Sequence, residues 1–216
     1  MRKLLLLTIL FLTWRSVPVG AQGTVTLNAT AGFDGYYRAG TWVPVHITVA
    51  NTGADAEGEV QIVAYSDWRG KVTYTRSLSL PNRSRKQFLM YVHVGGYTHE
   101  ITVKLSYVIS GNTRQRNAVS TTVNLQPLDS QDLLCVVLSD DPASLHYLAG
   151  LPPVGQRRVY LTHMQVDELP TQADALSGVD VLVIRNADTG KLTPKQREAL
   201  RGWVALGGHL IVCGGA

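Results

Sequence analysis

The chain closes on HLIVCGGA, His209 to Ala216, in which an apolar run brings a cysteine to a pair of glycines. A thiol at a strand end, on a turn that only glycine accommodates, is one way to present a nucleophile. It becomes reactive when a base, a positive charge or a helix N-terminus favours the thiolate. The same residues also describe the end of a buried strand, where cysteine behaves as a small hydrophobe. Cys213 is the candidate catalytic residue, and both readings stand at this point.

Other polar groups follow apolar runs. Ser139, Asp140 and Asp141 come after DLLCVVL, His163 ends RRVYLTH, and Arg185, Asn186 and Asp188 follow VDVLVI. In an open parallel sheet, ligands bind outside the carboxyl ends of the strands. Asp140, Asp141, His163 and Asp188 are therefore the candidate ligand-binding crevice. An acidic pair after one strand and an aspartate after another also resembles a phosphoacceptor receiver site, but that chemistry is cytoplasmic. Turn and cap duties account for the same aspartates. No metal site is expected: His146 and His163 have no second ligand at short spacing, and His209 and Cys213 share a strand face about 13 Å apart. No cofactor is expected either. With one strand between them, Cys135 and Cys213 stand about 10 Å apart, beyond the ~7 Å reach of a disulfide.

These groups need elements to position them. From Thr24 to Leu125 the apolar residues alternate, as in VTLNATA, VPVHITVA, EVQIVAY, KVTYTRSLSL, QFLMYVHV, EITVKLSYVI and AVSTTVNL. Turn signals such as NTGADAEG, PNRS and SGNTR separate them. About seven half-buried strands without a helix predict an antiparallel, immunoglobulin-like β-sandwich over 23–127. The stretch from Tyr36 to Val63 is similar to the opening of bacterial extracytoplasmic sandwich domains, with Gly40-Thr-Trp-Val-Pro-Val, then Asn51 and Gly53 in a turn, then Gly58 leading the next strand.

Past Gln126 to Gln131 the pattern changes to continuous apolar runs, the mark of strands buried on both faces. Thr193 and Pro194 predict the start of a helix in which Leu200, Trp203, Val204 and Leu206 form the apolar side, stopped by Gly207 and Gly208. Strands alternating with helices predict an α/β parallel sheet with right-handed crossovers over 132–216. Gly178 to Ala216 resembles the core of the class I glutamine amidotransferase-like, flavodoxin-like fold. That resemblance implies a nucleophile elbow at Cys213 and Gly215. Ile211 stands where the family's first glycine belongs, and the partner His and Glu would lie downstream of Ala216. The resemblance thus implies an incomplete α/β domain whose chain continues.

MRKLLLLTILFLTW followed by RSVPVGAQG has the basic start, apolar stretch and small residues of a secretory signal peptide, with cleavage after Ala21 (1–21). The apolar run is shorter than the ~20 residues of a spanning helix. At 216 residues, 45% apolar and 17% charged, the chain is globular rather than disordered. Its net charge of +4 is scattered, with RSRK and RQR in turns and no interleaved aromatics, so nucleic acid is not an expected partner. Two cysteines exclude a disulfide-stapled miniprotein.

The expected protein is exported, periplasmic or on the cell surface, with a non-catalytic interaction or scaffolding role. Its expected partners are other envelope proteins or a cell-surface polymer. The resemblance implies membrane tethering through a segment outside this chain. Two alternatives remain: a hydrolase or amidotransferase using Cys213, and a glycan-binding sandwich with Tyr36, Tyr37, Trp42 and Trp68 as stacking residues.

Overall fold

The computed structural model describes residues 24–66, 70–96, 98–150, 152–153 and 157–213. The expected signal peptide, Trp68, Gly214 and Gly215 lie outside the described residues.

The alternating segments form strands β1 (Val25–Ala31), β3 (Trp42–Asn51), β4 (Ala56–Ser66), β5 (Gly70–Leu80), β6 (Ser84–His93), β7 (Glu100–Ile109) and β8 (Asn112–Asn124), with a short β2 (Tyr36–Arg38). A three-stranded sheet in the order β1-β3-β6 faces a four-stranded one in the order β5-β4-β7-β8. All their pairings are antiparallel. This three-on-four arrangement is an immunoglobulin-like sandwich. Val45, Ile47 and Val49 from one sheet and Val60, Ile62, Val103 and Leu105 from the other are within 1% of complete burial. They sit at every second position because the pleat sends alternate side chains to one face.

Asn51 holds the β3–β4 turn as its residue type suggests. Its buried carboxamide donates to the carbonyls of Ala54 and Leu80, each at 2.8 Å, and accepts from Gly53 N. Gly58 differs from expectation. It lies inside β4, not at a turn, and a Cβ there would come within 2.9 Å of Ser106 O on β7. Close strand approach, rather than turn geometry, requires that glycine.

The segment after the sandwich is not a loose connector. Gln126–Leu128 forms β9 and pairs in parallel with β2. Phe33 and Leu128 are buried in a second core with Leu134, Val136, Leu138, Leu182 and Trp203, and Tyr36 packs against it.

That core belongs to a parallel sheet of β10 (Leu133–Leu138), β11 (Val159–Met164), β12 (Val181–Ile184) and β13 (His209–Val212), ordered β11-β10-β12-β13. Central β10 is buried from Leu134 to Leu138, as its continuous apolar run predicts. The crossovers depart from the expected alternation of strand and helix. Among the described residues, only β12 and β13 are joined by an α-helix, α1 (Pro194–Ala205). Single 3-10 turns at His146–Gly150, Val166–Glu168 and Ala173–Leu176 serve the other two. Pro142, Pro152, Pro153 and Pro170 remove donors and fix φ in those connections, so a regular helix has no room to run.

Helix α1 starts as predicted. Thr193 Oγ1 accepts Gln196 N at 3.2 Å, and Pro194 occupies the first turn. Its buried side is Gln196, Ala199, Leu200 and Trp203, whereas Val204 and Leu206 are 41% and 73% exposed. The 3.6-residue period carries 196, 199, 200 and 203 down one face, and the expected stripe was too far round the helix. Gly207, at φ +104°, reverses the chain. Strand β13 is likewise not buried on both faces. It pairs with β12 only among the described residues, and Ile211 and Val212 are 50% and 65% exposed.

Candidate functional site

The carboxyl ends of β10 and β12 meet where β10's neighbours depart in opposite directions, the position at which open parallel sheets bind ligands. Asp140 N donates to Asn186 O at 3.3 Å across this point, and Asn186 adopts a positive φ of 50°. The polar groups around it are already engaged. Asp141 Oδ1 accepts Ala143 N at 2.9 Å, and Asp188 Oδ1 accepts Gly190 N at 3.0 Å. Both bonds are Asx turns, in which a short carboxylate closes its own loop. Lys191 Nζ lies 3.9 Å from Asp188. His163 Nε2 lies 2.6 Å from Ser144 O, and its ring stacks on His146 at 6.4 Å.

Of the four crevice candidates, Asp140 and His163 line separate cavities. Asp140 lines one of about 430 Å³ with Gln165, Val166, Asp167, Lys191, Thr193 and Gln196. His163 lines a different one, of about 160 Å³, with Phe33, His46 and Glu168. Asp141 and Asp188 are committed to their turns. Among the described residues no three His, Cys, Asp or Glu side chains gather as metal ligands.

Cys213 directly follows β13, half-buried, with its amide donating to Ile184 O at 2.9 Å. The glycines of the expected elbow lie outside the described residues. Cys135 sits in β10 with its thiol pushed up by burial. Both cysteines are free, and β12 separates their strands.

The aromatic candidates divide. Tyr37 is a core residue, 2% exposed, whose hydroxyl lies 2.8 Å from the carbonyls of Gly95 and Thr98. Tyr36 packs on Tyr160 with ring centroids 4.9 Å apart. Tyr37 is thereby closed off, and Tyr36 is partly buried against the second core. Trp42 is 38% exposed and meets Tyr74 and His93 edge-on. Trp68 falls outside the described residues.

The sequence reading missed the groups that join the two layers. Arg38 in β2 donates to Asp132 O at 2.8 Å, to Asp129 O at 3.1 Å and to Asp180 Oδ2 at 2.6 Å. Asp180 also accepts Leu134 N at 2.8 Å. Gln196 Nε2 clamps the carbonyls of Val166 and Leu169 at 2.8 and 2.9 Å. His46 projects from the outer face of β3 toward Asp167 and Glu168. Burial lowers its pKa, and those carboxylates partly oppose the shift. A polar residue at an outward position in VPVHITVA was the available signal for His46. Nothing local announces partners so far along the chain.

Residues 24–126 match a family described as "Domain of unknown function (DUF8726)". No curated protein matches the chain. Similar solved structures include the CARDB domain of a Pyrococcus furiosus protein in complex with di-metal ions (11% identity, 47% of this chain, 89% of that one, TM-score 0.32). Red sea bream transglutaminase is similar at 19% identity over 47% of this chain and 16% of that one, with a TM-score of 0.32. Spo0M, a Bacillus subtilis sporulation control protein, is similar at 13% identity over 49% of each chain, with a TM-score of 0.28.

Proposed function

We propose that the chain belongs to an exported envelope protein with a non-catalytic interaction or scaffolding role, tethered to a membrane in its full-length form. On this reading the parallel sheet is the start of an amidotransferase-like, flavodoxin-like layer. Its order of second, first, third and fourth strand is the one a flavodoxin-like sheet begins with.

The observation that carries the non-catalytic reading is the engagement of the sheet's carboxyl end. Asp141, Asp188 and His163 hold their own loops or a loop carbonyl. Cys213 is not among the residues that line the cavities of Asp140 and His163. A thiol acts as a nucleophile when a base or a positive charge stands beside it. Among the described residues, the hydrogen bond at Cys213 is structural and made by its backbone.

Expression from Met1 in a bacterial host, followed by fractionation and N-terminal sequencing, tests the export half. A mature N-terminus at Gln22 outside the cytoplasm is expected; a full-length cytoplasmic product contradicts it. Ammonia release from glutamine, compared between the wild type and Cys213→Ser, tests the other half. Activity that requires the thiol overturns the non-catalytic reading.

A further inference from the structure

The outer face of the three-stranded sheet is covered at one end and open at the other. Tyr91 Oη on β6 meets Thr171 Oγ1 at 3.1 Å and accepts Thr171 N at 2.9 Å. The 3-10 turn Ala173–Leu176 lies against β3. Beyond this contact the face opens into a cavity of about 430 Å³, floored by β1, β3 and β6 and walled by Asp167 and Glu168 of the parallel-sheet layer. A smaller cavity of about 160 Å³ shares Thr30, His46 and Glu168 with it and continues to Asp34 and His163. The two form one crevice between the layers, within the size range of small-ligand sites.

Its floor is a grid set by strand register. Asn28, Thr48 and Gln87 lie side by side in one row, and Thr30, His46 and Leu89 in the next. Rows repeat every second residue and columns every ~4.8 Å, so side chains point into the crevice at regular intervals. Gln87 Nε2 reaches Thr48 Oγ1 at 3.4 Å, a long bond that leaves most of both groups' capacity open. Glu168 accepts Gln165 N with one oxygen.

The lining selects among ligand classes. Asp34, Asp167 and Glu168 line the crevice, while among the described residues neither Lys nor Arg does, so a phosphate or polyanion would meet repulsion. A tightly held metal ion would need several carboxylate or imidazole ligands gathered at one point, and among the described residues no three His, Cys, Asp or Glu side chains so gather. A ligand whose groups both donate and accept uses the carboxylates together with the carboxamides and hydroxyls of the floor. Leu89 adds an apolar contact in the same grid, which suits the C–H face of a pyranose ring.

We propose that the crevice between the sandwich and the parallel sheet binds a neutral oligosaccharide, with Asn28, Thr48 and Gln87 as the floor and Asp167 as the wall. The inference deepens the interaction role proposed above, and rests on it only for where such a polymer would be met.

Calorimetric titration of the purified chain with cellohexaose and with chitohexaose tests it, with spermidine and heparin as counter-probes. Saturable binding of at least one hexasaccharide is expected. It should weaken about ten-fold or more in N28A/Q87A, and also in Asp167→Ala, which truncates the opposite wall, because each loses direct hydrogen bonds. Thr75→Ala, exposed on the other sheet, should bind as the wild type does. Circular dichroism checks that each variant is folded. Failure of both hexasaccharides to bind at about 10 mM overturns the proposal. So does binding unchanged in both crevice variants, or binding of spermidine or heparin alone. Export is read separately by fractionation, so an exported protein that binds neither sugar sinks this inference and leaves the interaction role standing.

Discussion

The guanidinium of Arg38 lies 2.6 Å from Asp180 Oδ2, joining a strand beside the sandwich to the residue that precedes β12. The same guanidinium reaches the carbonyls of Asp129 and Asp132 in the intervening segment, and Asp180 accepts Leu134 N at the start of β10. One side chain thus fastens the sandwich, the connection and the sheet. Arg38→Ala is expected to cost about 1.5–3 kcal/mol, the range for hydrogen bonds to charged groups, measured by urea unfolding. Arg38→Lys should recover little, because an ammonium cannot span the forked set of acceptors. A loss below about 0.5 kcal/mol in Arg38→Ala, the level of an ordinary surface substitution, would mean the joint is ornamental.

Gln196 is expected to be less replaceable than its polarity suggests. It is 4% exposed, and its carboxamide satisfies the carbonyls of both Val166 and Leu169. Gln196→Ala should destabilise by about 1–3 kcal/mol by stranding those acceptors. Gln196→Glu should do worse at neutral pH, since a carboxylate would face two carbonyl oxygens. Thermal unfolding of the two variants gives the order directly; a more stable glutamate variant would contradict it.

Gly208 lies where the chain folds back over α1. A Cβ there would stand 2.1 Å from the indole of Trp203, which is itself only 3% exposed and has nowhere to go. Gly208→Ala should therefore lower stability by about 1–3 kcal/mol, as overpacking does. The double variant with Trp203→Phe should recover part of that loss. A neutral Gly208→Ala would show that the indole yields.

The two thiols should label in sequence. Cys213 is half-buried, whereas Cys135 is 8% exposed and its thiol is pushed up by burial. Alkylation of the native protein should modify Cys213 first and leave Cys135 intact until the chain unfolds. Peptide mapping after timed iodoacetamide treatment reads this. Equal rates would contradict the burial of Cys135.

His46 carries a pH dependence with a definite sign. Burial depresses its folded-state pKa below the ordinary 6.5, against the pull of Glu168 and Asp167. The unfolded state therefore binds its proton at higher pH than the folded state does. Its contribution to stability is fully present above 6.5 and is lost as the pH falls from there through the folded-state pKa. His46→Gln should flatten the stability profile in that window. An unchanged profile would remove His46 from the account.

Much of the fold could be read from period alone. The alternation in VTLNATA and VPVHITVA placed β1 and β3, and Thr193-Pro194 marked the start of α1, because these features depend on neighbours in sequence. What depended on distant partners was not legible. Val204 and Leu206 look as apolar as Leu200 and Trp203, and only the packed sheet decides which pair is buried. Pro127 and Leu128 look like a connector until β2 is beside them. Among the site residues, Asp141 and Asp188 have the alternative turn roles that their residue type allows. The crevice of Asn28, His46, Gln87 and Asp167 has no local signature, since it exists only where two layers meet.

The crevice and its wall exist only if the sandwich and the parallel sheet behave as one body. Scanning calorimetry of the whole chain measures this directly. A single cooperative transition is predicted for the wild type, and the same single transition at a lower temperature in Arg38→Ala. Two independent transitions in the wild type would contradict it.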